Sequence, residues 1–207
     1  DLHLSIRRQR QMCIRDRANG DVEAVKWYRK AAEQGHAEAQ YGLGFMYEHG
    51  YGIEGSSIPE LARTEAFKWH QREEAFKWYL LAANQGQAIA QNTVGNKYYW
   101  GKGTEKNHKR AVEYYMLSAE QGNDKAQRNL GYMFATGKGV PKDDKKALKW
   151  YLLSAEQGNA KAQNSVGNKY YQGKGTEKDY EEAVRWYKLA AYQGHTCLLY
   201  TSDAADE

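Results

Sequence analysis

Residues 128–163 read RNLGYMFATGKGVPKDDKKALKWYLLSAEQGNAKAQ, and this stretch decides the fold because its pattern returns at a fixed interval. The glycine of its Gln157-Gly158 step has counterparts at Gly86, Gly122 and Gly194, each 36 residues from the next. The aromatic pair Trp150-Tyr151 recurs at the same spacing as Trp78-Tyr79, Tyr114-Tyr115 and Trp186-Tyr187. A period between about 20 and 50 residues marks one supersecondary unit copied in series, so the fold is an array and not a single globule.

Inside the stretch, Ala126, Leu130, Gly131 and Phe134 keep the rhythm of one buried helical stripe, which predicts a helix over roughly Asp124 to Ala135. Gly131 costs that helix about 1 kcal/mol against Ala. Its return as Gly44, Gly95 and Gly167 predicts a close helix–helix approach where no side chain fits. Gly137-Lys138-Gly139 ends the helix with residues that tolerate positive φ. A second helix is expected from Asp143, its N-cap, burying Ala147, Trp150, Tyr151, Ser154 and Ala155 before Gly158 closes it. Two short helices and two glycine turns per unit predict an all-α solenoid. Outward from this unit lie repeats at 92–127 and 164–196, an enlarged repeat at 41–91 and a half repeat at 18–40.

The two ends do not follow the pattern. One permitted codon choice for Arg7–Arg17, RRQRQMCIRDR, has a reverse complement that translates as CLLYTSDAAD, which is Cys197–Asp206. Two protein ends that are opposite strands of one DNA segment are not native sequence, and the segment resembles a transposon-type sequencing-library adapter. Residues 1–17 and 197–207 are therefore expected to be adapter-derived and are set aside, leaving 18–196 as the solenoid. Both cysteines, Cys13 and Cys197, fall in those ends, so neither a disulfide framework nor a cysteine metal site is available to the remainder. The net charge stays at +4, because the ends carry five basic and five acidic residues. No apolar run is long enough for a membrane span. The lack of native cysteine suits the cytoplasm and the bacterial envelope alike, so it selects no compartment. A half repeat at the start and a stop after a second helix predict missing capping units and self-association through uncapped ends.

One unit is abnormal. Trp27 to Trp78 spans 51 residues, 15 more than the period, and Glu65-Ala-Phe-Lys-Trp69 repeats as Glu74-Ala-Phe-Lys-Trp78. An offset of nine residues is about two and a half helical turns, so Trp69 and Trp78 cannot share a face of one unbroken helix. The insertion, 53–74, is either a protruding, partly apolar helix that recruits something or a tolerated slippage duplication or assembly error, the latter pair favoured.

The pattern L-G-x-x-(Y/F)-x-x-G-x-G-V-x-x-D-x-x-x-A-x-x-W-Y-x-x-(A/S)-A-x-Q-G resembles the Sel-one-like repeat (SLR) family, a relative of the tetratricopeptide repeat. It runs through Leu130, Gly131, Phe134, Gly137, Gly139, Val140, Asp143, Ala147, Trp150, Tyr151, Ser154, Ala155, Gln157 and Gly158. Thr104 and Thr176 replace the valine in other copies, and Tyr114 replaces the tryptophan. The resemblance implies a right-handed α-solenoid whose first helices line an inner groove. It also implies a scaffold or adaptor that binds protein. Some family members are cysteine-rich and disulfide-stapled, a branch that the absence of native cysteine disfavours.

Catalytic chemistry finds little support. His36 and His195 follow Gln-Gly where Gln87, Asn123 and Asn159 stand in other copies, as expected of a solvated turn. His49, His70 and His108 show no metal-ligand spacing. The Gly-Lys-Gly-Thr runs at 101–104 and 173–176 lack the spacing and preceding strand of a phosphate loop. No cofactor and no catalytic residue are expected.

The groove implied by the resemblance is the better candidate. Its exposed positions are expected to be Tyr41 and Phe45, Asn92 and Asn96, Arg128 and Tyr132, and Asn164 and Asn168, with Tyr99 and Tyr171 one turn further on. Asn amides both donate to and accept from a peptide backbone, and Tyr gives rigid contact area, so the set suits an extended peptide. The bland alternative, polar surface Asn and packing Tyr, carries equal weight. A second feature is a pair of lysine rows, Lys102, Lys138 and Lys174 with Lys106, Lys142 and Lys178, expected along one rim. Glu33, Glu120 and Glu156 give the opposite rim acidic character. The basic rim could draw anions, but a solubilising edge explains it more simply. The expected function is a non-enzymatic scaffold that binds a protein or peptide partner, with no specific nucleic acid expected. The alternatives are an anion-binding surface on the lysine rim and a hydrolase carried on the scaffold.

Overall fold

The computed structural model describes residues 20–53 and 64–193. The segments 1–17 and 197–207, His195 and residues 54–63 of the insertion lie outside the described residues. Every regular element among the described residues is helical: α1 over 20–33, α2 Ala37–His49, α3 Glu65–Asn84, α4 Ala88–Trp100, α5 His108–Glu120, α6 Asp124–Thr136, α7 Asp144–Glu156, α8 Ala160–Gln172 and α9 Tyr180–Tyr192. The chain divides into two compact units, Asp1–Lys106 and Asn107–Glu207. In the first, α3 packs on α2 and on α4. In the second, α6 packs on α5 and α7, and α8 on α7 and α9. Stacking of sequence neighbours makes each unit a piece of an all-α helical-repeat solenoid.

Side chains fix where the helices start. Asp143, Asn107 and Asp179 accept from the backbone N–H of Lys146, Arg110 and Glu182, which satisfies donors that a first turn leaves open. The position after Gln-Gly, expected to be a solvated turn, proves to be the N-cap of each first helix. Asn123 and Asn159 accept from Ala126 and Ala162 N–H, whereas His36 and Gln87 make no side-chain cap bond.

The helical glycine has a specific partner. A Cβ on Gly131 would stand 2.7 Å from the Tyr151 ring, and one on Gly167 would stand 2.5 Å from Tyr187. The missing side chain is therefore the seat of the tyrosine from the aromatic pair, and it explains why a helix-weakening residue is retained. Gly139 is constrained by backbone instead. Its φ is 74° and a Cβ there would lie 2.4 Å from the carbonyl oxygen of His108, at the start of α5. The second glycine of the turn is thus a contact between repeats as well as a bend.

The expected core of the second helix needs one correction. Ala147, Tyr151, Ser154 and Ala155 are buried, but Trp150 is only half-buried and Leu148 takes its place. A second helix in a stack packs against the first helix on each side of it, as α7 does against α6 and α8. Its apolar stripe is therefore wider than that of a one-sided amphipathic helix.

Each unit holds buried amides at matching registers. Gln40, Gln91, Gln127 and Gln163 are buried, and each donates to the carbonyl eight residues earlier at 3.1–3.2 Å. The Oε1 atoms of Gln40, Gln127 and Gln163 accept from Gln85, Gln157 and Gln193, at 2.6, 2.7 and 3.1 Å. The donor in each rung is the glutamine of a Gln-Gly step. Satisfied at both ends, these amides fasten one repeat to the next without the desolvation cost that an unpaired buried amide would carry.

The duplicated segment is one unbroken helix. α3 has 20 residues, against 13 in α5, α7 and α9, and Thr64 caps it by accepting from Phe67 N–H. The second copy does the packing, with Ala75 and Phe76 buried, while Ala66 and Trp69 of the first copy are exposed. Trp78 is half-buried, so the two tryptophans occupy different faces as their spacing requires.

Candidate partner-binding surface

In the second unit α6 carries Arg128 and Tyr132, and α8 carries Asn164, Asn168 and Tyr171, with each α6 residue one period before an α8 asparagine. Tyr132, Asn168 and Tyr171 are exposed; Arg128 and Asn164 are half-buried. These side chains are held in place. The Tyr187 hydroxyl donates to Asn168 Oδ1 at 2.7 Å, and Asn168 Nδ2 donates to Asn164 Oδ1 at 3.1 Å. Lys138 folds over Tyr132, donating to its hydroxyl at 3.0 Å with the ammonium 5.1 Å from the ring centroid. Arg128 donates to Asn129 at 2.6 Å, and Tyr171 meets Tyr180 edge-on at 5.4 Å. Burial pushes the neighbouring Tyr151 hydroxyl up to about 12, with the Arg128 charge pulling the other way.

In the first unit the surface is aromatic. Phe45 lies 4.1 Å from the His49 ring, and His49 stacks on Tyr51 at 5.6 Å. The His49 Nδ1 is 2.9 Å from the Phe45 carbonyl oxygen, which can only accept, so that nitrogen carries a proton. Tyr41 is half-buried against Tyr79 at 5.2 Å, and Tyr99 packs on Trp100 at 4.7 Å. Asn96 is half-buried. Asn92 departs from expectation: it is 7% exposed, so its amide serves the interior and does not belong to an open groove.

The lysines at the turns have a local cause as well as a charge. Lys106, Lys142 and Lys178 place their stems over the helix-ending glycines 101, 137 and 173, in contact with where a Cβ would project. Lys142 also stands 3.5 Å from Asp144. Lys102 and Lys174 are exposed, as are Glu33, Glu120 and Glu156. Packing under the stem accounts for the recurrence of one of the two rows without invoking a ligand.

Sequence reasoning missed two buried lysines. Lys97 is 3% exposed and bonds Glu48, which also accepts from the Tyr79 hydroxyl at 2.9 Å. Burial pushes the Glu48 carboxyl up, but its bond to Lys97, that lysine's charge and the Tyr79 bond together hold it below the usual carboxylate range. Burial pulls Lys97 down while Glu48 pushes back, and it drives the Tyr79 hydroxyl well above its ordinary value. In the second unit Lys169, 7% exposed, bonds Asp144, whose carboxyl is held low chiefly by that bond. A signal did exist: the register that holds Lys97 and Lys169 holds Met46 and Met133 in the other copies, an apolar position occupied by a long polar stem.

Among the described residues no three His, Cys, Asp or Glu side chains gather in a way that could hold a metal ion, and no helix is long and apolar enough to cross a membrane.

A family model described as Sel1 repeat matches residues 17–36, 37–72, 70–87, 88–123, 124–159 and 160–195. Among solved structures, the chain is similar to c5321, a protective antigen of uropathogenic Escherichia coli strains displaying an SLR fold, at 34% identity and a TM-score of 0.74. The match covers 84% of this chain and 34% of that one. It is similar also to a Sel1 repeat protein from Oxalobacter formigenes, at 37% identity and a TM-score of 0.71, covering 84% of this chain and 63% of the other. The chain thus spans about a third of one relative and less than two thirds of the other. No match is found among the curated proteins.

Proposed function

We propose, from the premise that the chain belongs to the Sel1 repeat family, that it is a non-catalytic scaffold gripping a peptide or partner segment on its first helices. Sel1 repeats generally mediate protein–protein interaction, and a scaffold of this family is typically non-catalytic. The observation that carries the finer reading is the α6–α8 face. Matched registers on α6 and α8, each packed on α7, present Tyr132, Asn168 and Tyr171, with polar side chains already oriented by neighbours. Preorganised amide and tyrosine groups lose little freedom on binding, which is what a peptide-holding surface requires. The reading is tested by capturing a partner on the immobilised chain and replacing Tyr132→Ala together with Tyr171→Ala. The expected result is a loss of affinity of about tenfold or more with helical content unchanged. Equal affinity in the variant would remove the first-helix face from the function.

A further inference from the structure

Resting on that reading, we propose that the α6–α8 face takes an acidic peptide segment. The first helices of the second unit are one-sided in charge. Lys125 and Lys161 stand exposed at matching registers, with half-buried Arg128 one turn along, and none of the three makes an ion pair among the described residues. Lys138 adds a fourth cation beside the exposed Tyr132.

The carboxylates on the same two helices are too few to balance them. Asp124, the one acidic residue of α6, accepts from the Asn159 side chain at 2.7 Å, and α8 has none. Asp144 is held by Lys169. A surface whose cations outnumber its single carboxylate, Asp124, gains attraction and orientation from a partner that supplies negative charge. The residues between the cations decide what kind of partner. Tyr132 and Asn168 offer hydroxyl and amide groups suited to a peptide backbone, and the modest charge of +4 is low for a surface that tracks phosphates.

The test uses the full chain and three fluorescent probes, a short peptide of alternating Glu and Ser, its Gln-for-Glu counterpart and a short oligothymidylate, read by polarisation. The acidic probe should bind about tenfold tighter than the neutral one, lose that margin as salt rises, and lose it in Arg128→Gln with Lys161→Gln. Three results would overturn the proposal: equal binding of both peptides, binding of neither peptide, or tighter binding of the oligothymidylate lost with the same two substitutions. Equal binding of both peptides that Tyr132→Ala with Tyr171→Ala abolishes would leave the scaffold reading standing while removing the acidic preference.

Discussion

The two units solve one problem in two ways. Lys97 and Lys169 lie two periods apart and are both buried, yet the first pairs with Glu48 from a first helix and the second with Asp144 from the start of a second helix. Sequence register explains the exchange. The residue matching Asp144 in the first unit is Arg72, which cannot accept and sits near enough to Lys97 to oppose its charge. Allowing for the insertion, the residue matching Glu48 in the second unit is Ala135. Each unit supplies its lysine with one carboxylate, from whichever neighbouring register has it. An isolated buried ammonium is costly, so the position tolerates lysine only where a partner exists, and Met46 and Met133 fill it elsewhere.

The comparison breaks most severely at Glu48. Glu48→Leu strands a lysine with almost no access to water and should cost about 3–5 kcal/mol, read as a large fall in thermal midpoint. Adding Arg72→Asp to that variant should recover a good part of the loss, because it builds in the first unit the arrangement seen in the second. No recovery would show that register does not govern the pairing.

A smaller effect comes from acid. Glu48 and Asp144 both have folded pKa values below their ordinary 4.5 and 3.8. The stability they contribute is therefore present above those values and lost as pH falls through the folded ones. Melting should be steady near neutrality and fall in strong acid, with less of a fall in the variant lacking both carboxylates. Smallest of all should be Lys97→Met, which restores the residue type of the other copies and leaves Glu48 partly solvated and still bonded to Tyr79; a change of no more than about 1 kcal/mol is expected.

Much of the fold was legible because it is periodic. Asp143 was recognisable as an N-cap and Gly131 as a point of close approach from spacing alone, and the nine-residue offset placed Trp69 and Trp78 on different faces. What a one-sided helical pattern could not convey was packing on two sides. It put Trp150 in the core, where it is only half-buried, and gave no sign that Leu148 and Asn92 are interior. The buried lysines were hidden for a related reason: their carboxylates lie 49 and 25 residues away, beyond any local pattern. The surface was legible in the exposure of Phe45, Tyr132, Asn168 and Tyr171, but not in the bonds from Tyr187 and Lys138 that orient it.

The glutamine rungs have an evolutionary corollary. The rung between Gln40 and Gln85 forms although the insertion lies between its two members, while the corresponding rungs in the second unit span 30 residues. Donor and acceptor travel together in the three rungs described, so a recombination event that adds or deletes one whole period leaves such a joint already equipped. Such a chain can change its length by gene-level copying long before selection refines any single residue.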